Sequence, residues 1–489
     1  MTMKISVERK SVRFVPDFKK VIARFFYTGD ERARELIKKV MQLDEKEVDI
    51  LANQILREFS KRHRNISKIL INHFNYVIPR IQELQIDPNT ISDLRKILLG
   101  SYFTMEYSIE SAAFFNPSVI EAPDQSDLEI GQKRIIVSFR ATGEGHLSSI
   151  AFRSGIIDAA NEMKFSPSGR LVDSPELTKR HNYEKSMFRK KLDEMKIPDY
   201  LSDLAMKNLS ENFTYREIRV AVNTLLQRDE FTAEQKTDIE KILWLADSHY
   251  EIRFSLDTDI SERVIFPVSE TESKGIEDAR FVRFVDDDGK VTYYATYTAF
   301  NGTTIMPRLL ETQDFYHFFV RPLHGRFAMN KNLALFPRKI QGKYVMLSRI
   351  DGVNNYIMFS DKINLWEKGV LLNEPINPWE FIQIGNGGSP IETPEGWLLI
   401  THGVGPMRKY CLGAMLLDLD DPTKEIGRLK EPFLIPNEEE REGYVPNVVY
   451  TCGCIVHNGE LIVPYAMSDY ASSFVTLPVD SLIAALLRK

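Results

Sequence analysis

Apolar residues recur along this chain with two different periods, and the changes of period divide it into segments. From about residue 29 to 105 the spacing is helical. "DEKEVDILANQILREFSKRH" opens on Asp44 with Glu47 three places on, the pattern of a capping box, and sets Val48, Leu51, Ile55 and Phe59 on one helical face. "NISKILINHFNYVIPRIQELQ" keeps that spacing up to and past Pro79. A second helical block covers about 174 to 248, where Asp203, Thr214 and Thr232 each stand ahead of an amphipathic run, as N-caps should. The chain is strand-rich on both sides of this block, which therefore reads as an insertion.

Elsewhere the apolar period shortens to that of strands, broken by glycine turns. Four hairpins look alike: "EDARFVRFVDDDGKVTYYATYTA", "KNLALFPRKIQGKYVMLSRI", "GGSPIETPEGWLLITHGV" and "CGCIVHNGELIVPYAMSD". Each turns at a Gly, in Asp288-Gly289, Gln341-Gly342, Glu395-Gly396 and Asn458-Gly459. A less regular fifth copy lies in "FFNPSVIEAP" and "KRIIVSFRATGEGHLSSIAF". A spacing of roughly 54 to 65 residues suits one propeller blade per copy. The prediction is a mainly β fold, a five-bladed β-propeller over 106–489 carrying the helical insertion, with an N-terminal helical region over 1–105.

Composition narrows the function classes. A chain of 489 residues, 43% hydrophobic and 27% charged, is ordinary for a globular protein, and a net charge of −6 gives no footprint for nucleic acid. No stretch reaches the roughly 18 apolar residues that cross a bilayer, and "MTMKISVERKSVRF" lacks the apolar core of a secretory signal, so a cytoplasmic protein with no membrane partner is expected. Cys411, Cys452 and Cys454 make neither a disulfide framework nor a metal-ligand pattern with histidine. They are expected reduced and buried, with no metal and no cofactor.

In a propeller the inner strands converge on a central channel, so residues at the entrances of equivalent strands can share one pocket. That rule gathers Asn116, Arg140, Asp278, Lys331, Asn332, Arg349, Gly387, Gly388, His402 and Asp469, with Arg308 on the strand after "FNGTTIMP". The set combines carboxylates for proton transfer with cations for a cluster of anionic oxygens. Taken singly, each has a plainer role: Asp278 and Asp469 as turn residues, Lys331 and Arg349 as solvated cations, His402 as a structural histidine. Arg62, His63 and Arg64 in "FSKRHRN" read as a solvated helix end or as an arm over the channel. "GEGH", from Gly143 to His146, is no phosphate loop, because no Gly-Lys-Ser/Thr follows.

The pieces "FFNPSVI", "FRATGEGHLSSIAFRSG", "GIEDARFV", "KNLALFPRKIQGKY", "IGNGGSPIETPEGWLLITHGV" and "TCGCIVHNGELIVPYAMSD", in this order, resemble glycoside hydrolase family 130, the β-mannoside phosphorylases and their hydrolytic relatives. The resemblance covers about residues 110 to 475 apart from the insertion, and the helical additions look like those of longer members, some of which act on β-1,2-linked oligomannosides. It implies that Asp278 is the general acid, acting through the mannose 3-hydroxyl while inorganic phosphate attacks the anomeric carbon from the opposite face. The products would be α-mannose 1-phosphate and a shortened saccharide. Asn116, Arg140, Ser149, Glu277, Lys331, Asn332 and Asp469 would position the sugar, and Asn301, Arg308, Arg349 and His402 the phosphate.

This chain departs from the family pattern at Ala279, where Pro is usual, at Thr401, often Tyr, and in "VPYAMSD". Two other readings stay open: a β-1,2-mannosidase on the same fold, which would need a carboxylate base for water in place of the cations, and a propeller that binds glycans without turnover. The helical additions are left with two roles, contacts of a homo-oligomer or a lid over the acceptor side.

Overall fold

The structure, a computed structural model, describes residues 5–173, 175–179, 182–302 and 305–488. Among these residues the chain is mainly β, with five antiparallel sheets of four or more strands. The first sheet holds Ala113–Glu121, Lys133–Thr142 and Ser148–Ile157, edged by Val264–Ile265. The second is built on Ile276–Val285, Val291–Phe300, Ile305–Thr312 and His317–Pro322. Ala334–Leu335, Tyr344–Ser348, Asn355–Ser360 and Gly369–Asn373 form the third, and Gln383–Asn386, Gly396–Val404, Tyr410–Leu417 and Glu425–Arg428 the fourth. The fifth contains Val449–Tyr450, Glu460–Met467 and Ala471–Pro478, and its outer edge is Glu8–Phe14.

The turns between paired strands follow their sequence. Gln341 and Gly342 (φ 51° and 75°) and Asn458 and Gly459 (φ 43° and 77°) are left-handed at both central positions, the twist that matches antiparallel neighbours.

Apolar side chains pack each sheet on the next. Ile120 and Phe152 of the first meet Phe281 and Phe318 of the second. Val282 and Leu309 of the second meet Leu335 and Met346 of the third. Val345 and Leu347 meet Ile384 and Trp397 of the fourth, and Leu398 and Leu412 meet Val463 and Val475 of the fifth. The fifth then packs on the first through Ile462 and Phe474 against Phe114 and Val137.

The N-terminal helices Asp30–Gln42, Glu45–Phe59, Ile66–Glu83 and Asp93–Tyr102 share a core of Ile37, Val48, Phe74 and Leu98. Asp44 caps the second with the expected box to Glu47. The region expected to be helical over 1–105 also carries strands: Glu8–Phe14 pairs with Ala471–Pro478 and Asp17–Phe25 pairs with Thr104–Glu110. Of the cluster Arg62-His63-Arg64, Arg62 is exposed, His63 is buried, and none of the three lines the cavity at the sheets' entrances. Arg62 grips both oxygens of Glu106 at 2.7 and 2.8 Å, buried His63 bonds the same carboxylate, and Arg64 pairs with Asp257 and Glu262.

The helices Lys185–Glu194, Asp199–Met206, Tyr215–Leu226 and Ala233–Asp247 have their own core around Leu192, Ile218 and Ile242. The expected start of the insertion at 174 lies outside the described residues. Thr214 and Thr232 cap their helices with full capping boxes. Asp203 does not: it lies inside a helix whose cap position is Pro198 and whose first acid is Asp199. The insertion leaves and rejoins the chain at the outer edge of the second sheet, where Glu176–Thr178 and Tyr250–Arg253 pair. All three cysteines are free and buried. Among the described residues no helix is long and apolar enough to cross a membrane.

Candidate active site

Four entrances to the sheets share one backbone feature. Asn116, Asp278, Asn332 and Gly388 have φ of 48°, 55°, 68° and 127°, the left-handed region that only Gly, Asn and Asp enter readily. Bulges lie between Phe115 and Ser118 and between Glu277 and Arg280, so the strand turns and re-aims the side chains of Asn116 and Asp278. Gly275, at φ 121°, must be Gly twice over, since a Cβ there would stand 2.5 Å from Ser148 Oγ. Antiparallel pairing puts the turn after each second strand at the same end as the start of the first. Arg408 and Asp469, also left-handed at φ 54° and 52°, come from such turns in the fourth and fifth sheets.

A cavity of about 320 Å³ results, lined by Asn116, Arg140, Glu277, Asp278, Lys331, Asn332, Arg349, His402 and Asp469. Asn116 Nδ2 donates to Asp278 Oδ1 at 2.6 Å, and Arg140 NH1 stands 3.8 Å from the same oxygen. Glu277 is held between Arg140 at 2.9 Å and Lys331 Nζ at 2.6 Å. Arg280, buried beneath, donates to the Asp278 carbonyl at 3.0 Å and to the Tyr450 hydroxyl at 2.6 Å. The like-charged Glu277 and Asp278 are thus separated into two cation-bound roles.

Burial pushes the Asp278 carboxyl up, but the field of Arg140, Arg280 and Lys331 with the Asn116 bond outweighs it and holds the group below the usual carboxylate value. Asp469 goes the other way: burial and the neighbouring charge of Asp278 push it up to about 6. Elsewhere in the cavity Arg349 NH1 lies 3.3 Å from His402 Nε2. Burial, Arg349 and Arg280 drive the His402 pKa well below the ordinary value, so its ring is neutral, accepting at Nε2 from Arg349 and donating Nδ1–H to the Asn386 carbonyl at 3.2 Å. The Nε atoms of Arg140, Arg280 and Arg349 and Oδ1 of Asn116 are buried without a hydrogen-bond partner. Such a set is unusual in a packed interior and suits a ligand rich in oxygen.

Five expected residues fall outside this cavity. Arg308 is fully buried, donating to the Ser248 carbonyl, to Ser269 Oγ at 3.0 Å and to Thr271 Oγ1, beside the carboxylate of Glu272. It cannot meet a phosphate held by Arg349. Ser149 is buried on the Ala141 carbonyl. Asn301 stands between Phe300 and Gly302, which line an adjoining chamber. Gly387 and Gly388 admit Thr451 and the Cys452–Gly453 backbone close to the fourth sheet and do not line the cavity. Gln383, Arg408, Tyr410 and Tyr450 do line it and were not anticipated. Arg408 was within reach of the sequence, because its turn corresponds to that of Asp469.

Residues 230–488 match the family model described as beta-1,4-mannooligosaccharide phosphorylase, glycoside hydrolase family 130. The chain belongs to this family. Among family-130 relatives, it is 39% identical over 213 residues to a 1,2-beta-oligomannan phosphorylase of Thermoanaerobacter sp., spanning 41% of this chain and 67% of that one. It is 29% identical over 284 residues to a beta-1,2-mannobiose phosphorylase of Listeria innocua, spanning 56% and 76%. The solved structure of a Listeria innocua beta-1,2-mannobiose phosphorylase with beta-1,2-mannobiose aligns over 78% of this chain and 93% of that one, at 21% identity and a TM-score of 0.44. Within the family-130 chain, the motif Glu277-Asp278-Ala279-Arg280 is the segment that the bulge turns into the cavity.

Proposed function

We propose that this chain is an inverting phosphorylase of β-mannosides, with β-1,2-linked oligomannosides as substrates and inorganic phosphate as the co-substrate. The relatives named for β-1,2-mannobiose and β-1,2-oligomannan support the linkage. The fold of the proposal is a five-bladed propeller over 106–489 with the insertion at about 174–248, preceded by the helical region of 1–105. The packing of each sheet on the next, and of the fifth on the first, supports five blades around one axis.

One observation carries phosphorolysis over hydrolysis. Arg349 stands beside neutral His402, whose ring stacks on Tyr410, and Arg408 lines the same cavity, whereas all the carboxylates lining it, Glu277, Asp278 and Asp469, are gathered around Arg140. An inverting hydrolase needs a carboxylate base across the sugar from its acid. A cationic wall instead holds and orients a phosphate dianion. Phosphate oxygen bonds to the anomeric carbon as the glycosidic C–O bond breaks, and the proton of Asp278 ends on the leaving oxygen. Asn116, Arg140, Lys331, Asn332 and Asp469 surround the ring between the two.

Asp278 is ionised in the empty site, so its proton is taken up as the anion neutralises part of the cationic field. Incubation with β-1,2-mannobiose, with and without inorganic phosphate, tests the reading. Mannose 1-phosphate equal to released mannose, and formed only with phosphate, is the expected result. Two mannoses released irrespective of phosphate would make the enzyme a mannosidase.

A further inference from the structure

A pocket of about 200 Å³ is lined from both ends of the helical insertion and from the second and third sheets. Asn182 and Tyr183 come from the start of the insertion, and His249 from just past its end. Arg321 lies on the strand His317–Pro322, His324 follows it, and Asn364 lies in the loop after Asn355–Ser360. None of the six lines the catalytic cavity. His324 is only 3% exposed, and its Nδ1 is buried without a hydrogen-bond partner, as is Nε of Arg321. We propose that this pocket binds a tetrahedral oxyanion, inorganic phosphate or the phosphate group of a sugar phosphate, at a site separate from the catalytic one. The proposal goes beyond the catalytic reading and does not rest on it.

Buried polar atoms are nearly always paired, so two unpaired nitrogens on residues of one pocket point to a ligand that accepts hydrogen bonds. The charges around them give its sign. Burial, then the cations Lys191, Lys190 and Arg321, lower the His324 pKa to about 3. A neutral imidazole in that positive field still donates one ring N–H, and the field that disfavours its own charge favours an anion. Arg321 supplies charge: one end of its guanidinium is on Glu311, while Nε is unbonded. The amides of Asn182 and Asn364 supply further N–H donors. Glu184 also lines the pocket, but its carboxylate accepts from Ser186 Oγ at 2.6 Å and stands 4.0 Å from Lys362. The frame is firmly set. Lys191 Nζ donates to the Leu323 carbonyl at 2.9 Å, the Gly325 N–H donates to Glu194 at 2.6 Å, and the His324 N–H donates to the Asn364 carbonyl at 2.8 Å. The pocket is smaller than the catalytic cavity, which must take one ring and a phosphate, so its size suits the anion and not a chain of sugars. An anion bonded there ties the insertion to both sheets.

Equilibrium dialysis of radiolabelled inorganic phosphate tests this on wild type, Arg349→Met, Arg321→Met and Asn364→Asp. Both pocket positions are partly exposed, and Asn364→Asp is nearly isosteric, so it carries the test if loss of the Arg321–Glu311 pair unfolds the other variant. One bound phosphate is weakened at least about tenfold by Arg321→Met and by Asn364→Asp and is kept in Arg349→Met. Mannoside turnover in the two pocket variants stays within about twofold of wild type. Equal phosphate affinity in wild type and Asn364→Asp, or a wild type whose every bound phosphate is lost in Arg349→Met, overturns the proposal. A competition arm on Arg349→Met separates the sources. Displacement of the label by mannose 1-phosphate assigns the site to phosphate esters, and displacement by unlabelled phosphate alone assigns it to the free ion. Turnover independent of phosphate would overturn phosphorolysis and leave the dialysis result to stand by itself.

Discussion

Asn116 and Asp278, 162 positions apart, meet through a 2.6 Å hydrogen bond at the entrances of adjacent sheets, both in left-handed backbone (φ 48° and 55°). The bond stabilises the charged form of the carboxyl that is to deliver the proton. Asn116→Gly keeps the backbone conformation and removes the bond, so the Asp278 pKa rises. Since the protonated acid is the active form, the alkaline limb of kcat moves to higher pH. A pH–rate profile measures this, and an unmoved limb would assign it to another group.

Arg349 has its guanidinium on neutral His402 and an unpartnered Nε. Replacing it with Met removes charge-assisted bonds to phosphate, of about 1.5–3 kcal/mol, and raises the phosphate KM at least about tenfold. Initial rates at varied phosphate and fixed mannoside check this.

Asp469 has its carboxyl raised to about 6 in the folded protein, from an ordinary value of 3.8. The folded state therefore holds the proton more tightly than the unfolded chain, and stability falls as pH rises through that interval, then stays level above it. Asp469→Asn, tolerated at φ 52°, escapes this loss. Its Tm exceeds that of wild type above pH 6, by an amount equivalent to about 3 kcal/mol, and matches it below about pH 4, while turnover drops. Thermal melts from pH 4 to 8 show whether the difference has that sign.

Arg308, bonded to Ser248, Ser269 and Thr271 in the field of the fully buried Glu272 that Tyr250 and Tyr297 bond, ties the end of the insertion to the segment leading into Asp278. Arg308→Met lowers unfolding stability by about 3–5 kcal/mol, the penalty of an unpaired buried charge. In protein that remains folded, the phosphate KM stays within about twofold of wild type. Urea unfolding and phosphate kinetics together separate this role from the phosphate contact expected from the sequence.

The repeats and the site were legible to different depths. Hairpins announce themselves locally, because alternation and Gly turns act over a few residues, and Asn116, Arg140, Asp278, Lys331, Arg349, His402 and Asp469 all reach the cavity that the repeat rule anticipated. Glu8–Phe14 escaped notice because a charged edge strand takes its order from a partner more than 450 positions away. Arg308 misled because alternation tells which face a strand residue occupies, not whether that face opens on a cavity or on a buried carboxylate.

By itself the sequence determined the period of each segment, the caps at Asp44, Thr214 and Thr232, the five hairpin copies and the acid-bearing motif at Asp278. These rest on interactions within a few residues. Tertiary structure decided which cations face the acid, that Glu277 is spent on Arg140 and Lys331, that His402 is neutral, and that His146 meets Tyr444. Those outcomes depend on burial and on distances between sheets, and neither is written in local spacing.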